Sequence, residues 1–575
     1  MADGSRPGPA LAALSALTGR RWKLGPARNK VSVERDIAVR MRDGAVLLAD
    51  HYAPVTSEPR PTVLMRCPYG RSLAYAMPAL LYAERGYHVL LQSCRGTSGS
   101  GGTFRPYADE AADGQDTVGW LRGQNWFDGR LATVGASYLA YVQWALALDP
   151  PPELKAMVVQ VSPHDLGAAC FGHGPFELYN RLAWSEMMAH QEQRGLVRWV
   201  WLALRAGKRL APMLSTLPLT ATGAAIGGAG APWYAEWLAH PDLADPYWDH
   251  RRTAAALERV TVPTLLISGF YDLFAEQTMQ QYQALRRRGV QAALTVGPWS
   301  HITVDGGIAT RETLAWLDAF AAGDGPTPRP QPVRAWISGR EQWQELPQWP
   351  PAGAAGRTWY LHGGGMLAET VPADDEAATG FRYDPLDPTP TVGGRISSFH
   401  GGSRDNTAVE ARDDVLTFST PPLAGAVHVA GVPSVRLHVS HDGACADIFA
   451  RLCDVDERGR SRDLTDQIIR LGPAGPADGG TRSISLALTG VSHMFQPGHR
   501  IRLQVSGGAF PRYARNLGTA GDPITSTQTA PVSYRVFHSG PRPSAITMPV
   551  LAPGGEAGEE SIGDTDGTRT RETSL

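Results

Sequence analysis

The sequence contains little lysine and no long apolar run, and each absence excludes a class of protein. Lysine occurs at only four of 575 positions, so arginine supplies most of the positive charge, and the formal net charge is −2. A chain so close to neutrality has no electrostatic basis for binding nucleic acid or an anionic membrane surface. No apolar run reaches the length of a membrane span. The N-terminus lacks the basic segment and long apolar core of a signal peptide, so we expect none.

Cysteine is also scarce. The five cysteines, at positions 67, 94, 170, 445 and 453, form no close Cys-x-x-Cys pair. An odd number without such pairing fits reduced thiols in the cytoplasm, and no Cys/His spacing typical of a metal site occurs. We therefore expect a cytoplasmic protein with no metal ion, no cofactor, no nucleic-acid partner and no membrane partner.

A chain of 575 residues is too long for one domain. Strand-like and helical segments alternate up to residue 322, which predicts an α/β architecture with a parallel sheet covered on both faces. After antiparallel strands over Val31 to Ala53, the predicted strands are Thr62–Arg66, His88–Gln92, Ala132–Val134, Ala156–Val161, Thr264–Ser268 and Ala292–Val296. The predicted helices are Ala76–Arg85, Glu110–Arg122 and Tyr138–Leu148. Trp- and Met-rich helical sequence over 166–255, including Glu177–Gln193 and Val197–Arg209, predicts an inserted cap.

Beyond a Pro/Gly-rich linker over Gly323 to Pro332, short strands separated by turn signals predict a β-sandwich. These strands are Val333–Ser338, Thr358–Leu361, Val427–Val429, Ser434–Val439, Ile448–Asp454, Thr481–Leu488 and Arg500–Val505. The predicted division is an N-terminal extension (1–29), a core in two parts (30–165 and 256–322), a helical cap (166–255), a β-sandwich (323–552) and a disordered tail (553–575).

The segment from Leu131 to Ala147 carries the strongest chemical signal. A β-branched, apolar approach enters a Gly135-Ala-Ser137 turn, and an Ala/Leu-rich helix follows at once. This order is typical of a nucleophile elbow, which holds a serine hydroxyl clear of the sheet above a helix N-terminus. Gly-x-Ser also occurs at Gly96–Ser98, Gly401–Ser403 and Gly490–Ser492, so the strand–turn–helix context singles out Ser137. The alternative is an ordinary strand-to-helix turn.

A base and an orienting acid follow in the required order. Asp272 ends one apolar strand, and His301 lies in the loop after the next. The chain order Ser137, Asp272, His301 is that of an α/β-hydrolase and differs from the chymotrypsin and subtilisin orders. His301 would accept the serine proton, while Asp272 would fix the imidazole tautomer. Taken singly, each residue has a simpler alternative: Asp272 only caps the following helix, and His301 is an ordinary loop histidine.

An oxyanion hole would complete this site. The backbone N–H of Tyr138 is one candidate donor, because it directly follows the elbow. The other is the phenol of Tyr69, in the Pro68-Tyr69-Gly70 turn after the Thr62–Arg66 strand. One such donor lowers the barrier by about 3–4 kcal/mol. A tyrosine that only packs in its turn is the alternative.

Several motifs occur in one order along the chain. They are Cys67-Pro-Tyr69-Gly70, Gln92-Ser-Cys-Arg95-Gly96, Asp109-Glu110 with Asp113, Gln124-Asn-Trp126, Gly135-Ala-Ser137-Tyr138-Leu139, Gly269-Phe-Tyr-Asp272, Gly297-Pro-Trp-Ser-His301 and Phe510-Pro-Arg512-Tyr-Ala-Arg515-Asn516. The set resembles the cocaine-esterase-type (CocE/NonD) serine hydrolases, relatives of the X-Pro dipeptidyl-peptidases and α-amino-acid ester hydrolases. The resemblance implies an α/β-hydrolase core, an inserted cap and a C-terminal jelly roll. It also implies a Ser137–Asp272–His301 triad, with Tyr69 and Tyr138 as oxyanion donors.

Four apolar residues are candidates for substrate binding: Trp184, Met187 and Met188 in the cap, and Phe274 two residues after Asp272. By family position, Trp184 and Phe274 resemble residues that pack on the acyl portion of a substrate. For the cap residues the alternative is that they form the cap's own core.

Three functions remain open from the sequence. The first is a serine hydrolase that cleaves small carboxylic esters through an acyl-enzyme. The second uses the same residues on amides, as an X-Pro dipeptidyl-peptidase or a β-lactam acylase. A peptidase needs carboxylates that bind the substrate amine, and Glu177 and Glu186 are the candidates in the cap. The third is a non-catalytic binding protein, which would not need Ser, His and Asp together. A homodimer is a candidate assembly.

Overall fold

The computed structural model describes residues 5–191, 207–227, 230–323, 325–326, 328–473 and 480–552. The helices are α1 (Pro9–Arg21), α2 (Leu73–Ala83), α3 (Glu110–Arg122), α4 (Tyr138–Leu146), α5 (Leu166–Phe171), α6 (Leu178–His190), α7 (Leu219–Ala224), α8 (Pro232–Ala239), α9 (Ala275–Arg287), α10 (Gly306–Leu317) and α11 (Thr407–Glu410). Short 3₁₀ helices cover Pro246–Arg251, Ala254–Glu258 and Gly363–Gly365, and a π-helical turn covers Asp318–Ala322. No helix in these ranges is long and apolar enough to cross a membrane.

The first half of the described chain contains a ten-stranded sheet. Its strands are β1 (Val31–Arg40), β2 (Val46–Pro54), β3 (Thr62–Cys67), β4 (His88–Ser93), β5 (Leu131–Ala136), β6 (Leu154–Gln160), β7 (Thr264–Tyr271), β8 (Ala292–Ser300), β9 (Val333–Ile337) and β10 (Gln342–Leu346). Their order is β1-β2-β4-β3-β5-β6-β7-β8-β9-β10. The strands from β4 to β9 in this order run parallel. β3, β4 and β7 are buried at every residue, as expected for a sheet covered on both faces. The predicted α/β core is therefore confirmed.

The insertion between β6 and β7 is helical where the structure describes it. α5 to α8 pack in one buried cluster with α4, which includes Leu182, Trp237 and Trp248 of the insertion and Tyr141 of α4. The segment predicted as Glu177–Gln193 is α6. Most of the helix predicted over Val197–Arg209 lies outside the described residues, as does the predicted tail over 553–575.

A second sheet of thirteen strands follows in the described part of the chain. Its strands are β11 (Ala354–His362), β12 (Met366–Ala368), β13 (Thr379–Tyr383), β14 (Val415–Ser419), β15 (Val427–Gly431), β16 (Ser434–His441), β17 (Ala446–Val455), β18 (Ser461–Leu471), β19 (Arg482–Ala487), β20 (Val491–Phe495), β21 (Arg500–Ser506), β22 (Val532–Phe537) and β23 (Ala545–Leu551). Strands such as β22 alternate buried and exposed residues, so one face packs on a core of Val, Leu, Ile and Phe side chains. The predicted all-β C-terminal domain is confirmed.

One predicted strand belongs to the other sheet. The sequence assigns Val333–Ser338 to the β-sandwich, but β9 pairs in parallel with β8, and β10 pairs with β9. Both strands therefore extend the first sheet, and the assignment is wrong. The alternating pattern of β9 predicts a strand but does not predict which strand it pairs with. Pairing with β8 satisfies backbone groups of β9 that would be unpaired at a sheet edge.

Candidate active site

Ser137 lies in a strained turn between β5 and α4. Its backbone has φ 60° and ψ −119°, a conformation that non-glycine residues rarely adopt. The Ser137 N–H donates to the carbonyl of Gln160 on β6 at 2.9 Å, which ties the turn to the sheet. A Cβ at Gly135 would lie 2.3 Å from the Cβ of Leu139, so only glycine lets α4 approach β5 this closely. These features are those of a nucleophile elbow.

The ends of β7 and β8 bring Asp272 and His301 to this turn. Their parallel register pairs Tyr271 with Ser300, so the next residue of each strand lies at the same sheet edge. His301 Nδ1 lies 2.7 Å from Asp272 Oδ1, and His301 Nε2 lies 2.9 Å from Ser137 Oγ. With the imidazole proton on Nδ1, the ring donates to Asp272 and accepts from Ser137.

Asp272 is fully buried and has a second hydrogen-bond donor. The Ser268 hydroxyl donates to Asp272 Oδ2 at 2.9 Å, while Oδ1 faces His301. Both carboxylate oxygens therefore have a partner, which fixes the plane of the carboxylate and with it the ring of His301. Sequence reasoning missed Ser268, because four residues along an extended strand span about 13 Å. The turn at Asp272, whose N–H donates to the Gly269 carbonyl at 3.0 Å, brings the two side chains together.

Tyr69 reaches the same edge from the turn after β3. Its phenol interacts with the Ser137 hydroxyl, and it accepts a hydrogen bond from the indole Nε1 of Trp184 at 3.1 Å. Burial raises the pKa of Tyr69, so the phenol keeps its proton at neutral pH and remains a donor.

The side chain of Tyr138 points away from Ser137 into the core. Its hydroxyl donates to Glu110 Oε1 at 2.7 Å and accepts the backbone N–H of Tyr107 at 2.9 Å. Because Tyr138 is the first residue of α4, its own backbone N–H has no acceptor within the helix. That N–H is the group which the sequence singles out as an oxyanion donor.

A buried ion pair lies behind both candidate oxyanion donors. Arg66 on β3, three residues before Tyr69, pairs with Glu110 through Nη2 and Oε2 at 2.8 Å. Its Nη1 also donates to the backbone carbonyl of Glu110 at 2.7 Å. Glu110 thus links β3, the strand that precedes Tyr69, to the hydroxyl of Tyr138. We call Arg66, Glu110 and Tyr138 the Glu110 cluster. Sequence reasoning named the Asp109-Glu110 motif but assigned it no role.

The residues predicted to bind substrate separate into two groups. Trp184 contacts Tyr69, and the ring of Phe274 meets that of His301 edge-on with centroids 5.5 Å apart. Met188 is buried in the cap cluster, which is the packing role left open for it. Met187 is 47% exposed, and its role in substrate binding stays a prediction.

The two cap carboxylates already have cationic partners. Glu177 Oε2 lies 3.1 Å from Arg181 Nη2, and Glu186 Oε1 lies 2.6 Å from Arg209 Nε. Both glutamates are buried. Their carboxylates are therefore engaged by arginine in this conformation.

The sheet order, the strained serine turn and the all-β second domain together define an α/β-hydrolase of the serine type. A family model described as X-Pro dipeptidyl-peptidase (S15 family) matches residues 43–303. The model of the X-Pro dipeptidyl-peptidase C-terminal non-catalytic domain matches residues 327–547. The chain belongs to this family of serine hydrolases, in which it is cocaine-esterase-like (CocE/NonD), and it is a hydrolase.

Relatives match over nearly their whole length. The cocaine esterase of Rhodococcus sp. (strain MB1 Bresler) is 31% identical over 90% of this chain and 99% of its own. The structure of an aminopeptidase from a marine sediment Thaumarchaeota archaeon is 25% identical, with a TM-score of 0.78 over 91% of this chain and 97% of the other. An α-amino acid ester hydrolase at 23% identity shares the fold, with a TM-score of 0.78 over 92% of this chain and 97% of its own.

Proposed function

We propose that this protein hydrolyses small carboxylic esters through a covalent acyl-enzyme on Ser137. One observation carries the proposal: the ring of His301 bridges the Ser137 hydroxyl at 2.9 Å and the Asp272 carboxylate at 2.7 Å. This is the hydrogen-bonded order of nucleophile, base and orienting acid that acyl transfer requires.

The proposed reaction has two halves. Ser137 Oγ attacks the ester carbonyl while its proton passes to His301 Nε2, and Asp272 stabilises the imidazolium that forms. The Tyr69 phenol and the Tyr138 N–H donate to the oxyanion of the tetrahedral intermediate. The intermediate collapses, the C–O bond to the alcohol breaks, and His301 protonates the departing alcohol. Water, activated by His301, then releases the acid from Ser137 by the same steps.

The charges around the site favour an ester over a peptide with a free amine. A cationic α-amine needs an unpaired carboxylate, whereas Glu177 and Glu186 are engaged by Arg181 and Arg209. The side chain that contacts His301 beside Asp272 is Phe274, an apolar group. The relative at 31% identity is named a cocaine esterase, which also supports an ester substrate.

The test combines covalent labelling with turnover. A fluorophosphonate should label the wild-type protein at Ser137, and p-nitrophenyl butyrate should be hydrolysed, while aminoacyl-proline anilides should be turned over at least a hundredfold more slowly. Ser137→Ala should lose both labelling and turnover. Ser403→Ala is the matched control, because Ser403 also follows a Gly-x pattern, but its hydroxyl donates to the backbone carbonyl of Asp463 in the second domain at 3.0 Å. Faster cleavage of the anilides than of the ester would overturn the ester assignment. Labelling of Ser137→Ala at the wild-type level would overturn the nucleophile.

A further inference from the structure

The indole N–H of Trp184 is directed at the phenol that we propose as an oxyanion donor, with Nε1 3.1 Å from Tyr69 Oη. We propose that Trp184 is a positioning residue, which orients the O–H of Tyr69 toward the oxyanion. This inference rests on the proposed function.

The hydrogen-bonding capacity of the two groups supports this direction. An indole N–H can only donate, so the Tyr69 oxygen must accept in this hydrogen bond. The single phenol hydrogen is then free to point elsewhere, and the Ser137 hydroxyl is one of the groups close to the phenol. A donated hydrogen bond on the oxygen also polarises the O–H and makes it a stronger donor. Trp184 therefore sets both the direction and the strength of the donor.

The indole itself is held firmly. Its ring stacks on Tyr138 with an interplanar angle of 5° and centroids 6.2 Å apart, and on Trp237 with centroids 5.8 Å apart. Tyr138 contributes the other candidate oxyanion donor through its backbone. The inserted cap thus contacts both residues that carry a candidate donor through one side chain of α6: the phenol of Tyr69 directly, and Tyr138 through its ring.

A role in substrate packing predicts different kinetics. If Trp184 only contacts the acyl group, its replacement changes KM, and the change is the same whether or not Tyr69 carries a hydroxyl. If Trp184 orients that hydroxyl, its replacement changes kcat, and the change vanishes once the hydroxyl is gone.

The experiment is a double-mutant cycle of Trp184→Phe and Tyr69→Phe, measured as kcat with p-nitrophenyl acetate, whose small acyl group contacts little of the pocket. Trp184→Phe should lower kcat about three- to tenfold in the wild-type background, the size of one hydrogen bond. In the Tyr69→Phe background it should lower kcat by less than about 1.5-fold. Replacing Trp184 with 3-benzothienylalanine, which keeps the ring but exchanges the N–H for sulfur, should reproduce the loss.

Trp349→Phe is the matched control. Trp349 is buried in the core of the first domain, where its ring contacts Phe270, and its indole nitrogen has no hydrogen-bond partner among the described residues. Its replacement removes a similar volume and should change kcat less than twofold. An equal effect of Trp184→Phe in both Tyr69 backgrounds, or full kcat with 3-benzothienylalanine, would overturn the positioning role even if fluorophosphonate labels Ser137. Absence of that labelling would overturn the proposed function and this inference together.

Discussion

Two buried carboxylates, one in each domain, show opposite uses of charge. Asp272 is fully buried at the edge of the first sheet and is hydrogen-bonded by His301 and Ser268. Asp466, on β18 of the second domain, is equally buried but is surrounded by guanidinium groups. Its partners are Arg395 at 3.3 Å, Arg451 at 2.9 Å and Arg512 at 2.7 Å.

The difference lies in the partners. Burial alone would raise the pKa of Asp466, but the three arginines outweigh it and hold that pKa well below its usual range. Arginine is permanently charged, so this cluster is fixed at every working pH. Asp272 instead faces a histidine, which can gain and lose a proton. In the proposed mechanism, the carboxylate that supports proton transfer is paired with a titratable group, whereas the buried carboxylate of the second domain is paired with permanently charged groups.

The largest effect that we expect is the loss of kcat on replacing Asp272. Asp272→Asn should lower kcat about 10⁴-fold, because the amide favours the wrong imidazole tautomer. The thermal midpoint should stay within a few degrees, since the amide nearly matches the carboxylate in shape. Turnover of p-nitrophenyl butyrate and calorimetry measure the two quantities. A loss of kcat below tenfold would remove Asp272 from the proposed mechanism.

The matched change in the second domain should affect stability instead. Asp466→Asn removes the carboxylate that three buried guanidinium groups share, and should lower the free energy of unfolding by about 3–5 kcal/mol. The kcat of the folded fraction should stay within about threefold. Asp456→Asn is the control, because Asp456 pairs with Arg460 at the surface, where a pair contributes about 0–1 kcal/mol. Urea unfolding of the three proteins checks this. Equal stability of Asp466→Asn and Asp456→Asn would contradict the comparison.

An intermediate effect is expected at the oxyanion hole. Tyr69→Phe should lower kcat by about 10²–10³-fold with little change in KM, because in the proposed mechanism the phenol stabilises the charge that develops in the transition state more than the bound ester. Steady-state kinetics with p-nitrophenyl butyrate measure both constants. A loss below about threefold would reduce Tyr69 to a packing residue.

The sequence predicted where the strands of the first domain begin and end better than it predicted the side-chain contacts between them. Parallel strands such as β7 are buried throughout and read as apolar runs, so their ends, and with them Asp272 and His301, could be located. The link from Arg66 through Glu110 to Tyr138 could not, because it joins side chains from three separate elements and leaves no local pattern. The same holds for Trp184, since an indole in an apolar helix predicts packing whether or not its N–H has a partner. The strand Val333–Ile337 was assigned to the wrong sheet because strand propensity does not encode pairing.

The smallest expected effect concerns two buried histidines that contact each other. His51 Nε2 lies 3.0 Å from His88 Nδ1, and both rings stack on Trp126. Burial lowers the pKa of His51 to about 3 and that of His88 to about 4. Between these values and about 6.5 the unfolded chain binds more protons than the folded one, so stability falls as the pH falls through this window.

Each histidine should contribute up to about 1.4 kcal/mol per pH unit to that loss. His51→Gln should therefore flatten the decline in the free energy of unfolding between pH 6.5 and 4.5, measured by urea titration. His400→Gln, at an exposed histidine, should leave the decline unchanged. An equal slope in all three proteins would mean that His51 is not kept neutral by burial. Partners would then explain the charge of the two buried carboxylates, Asp272 and Asp466, but burial would not explain the charge of the buried histidines.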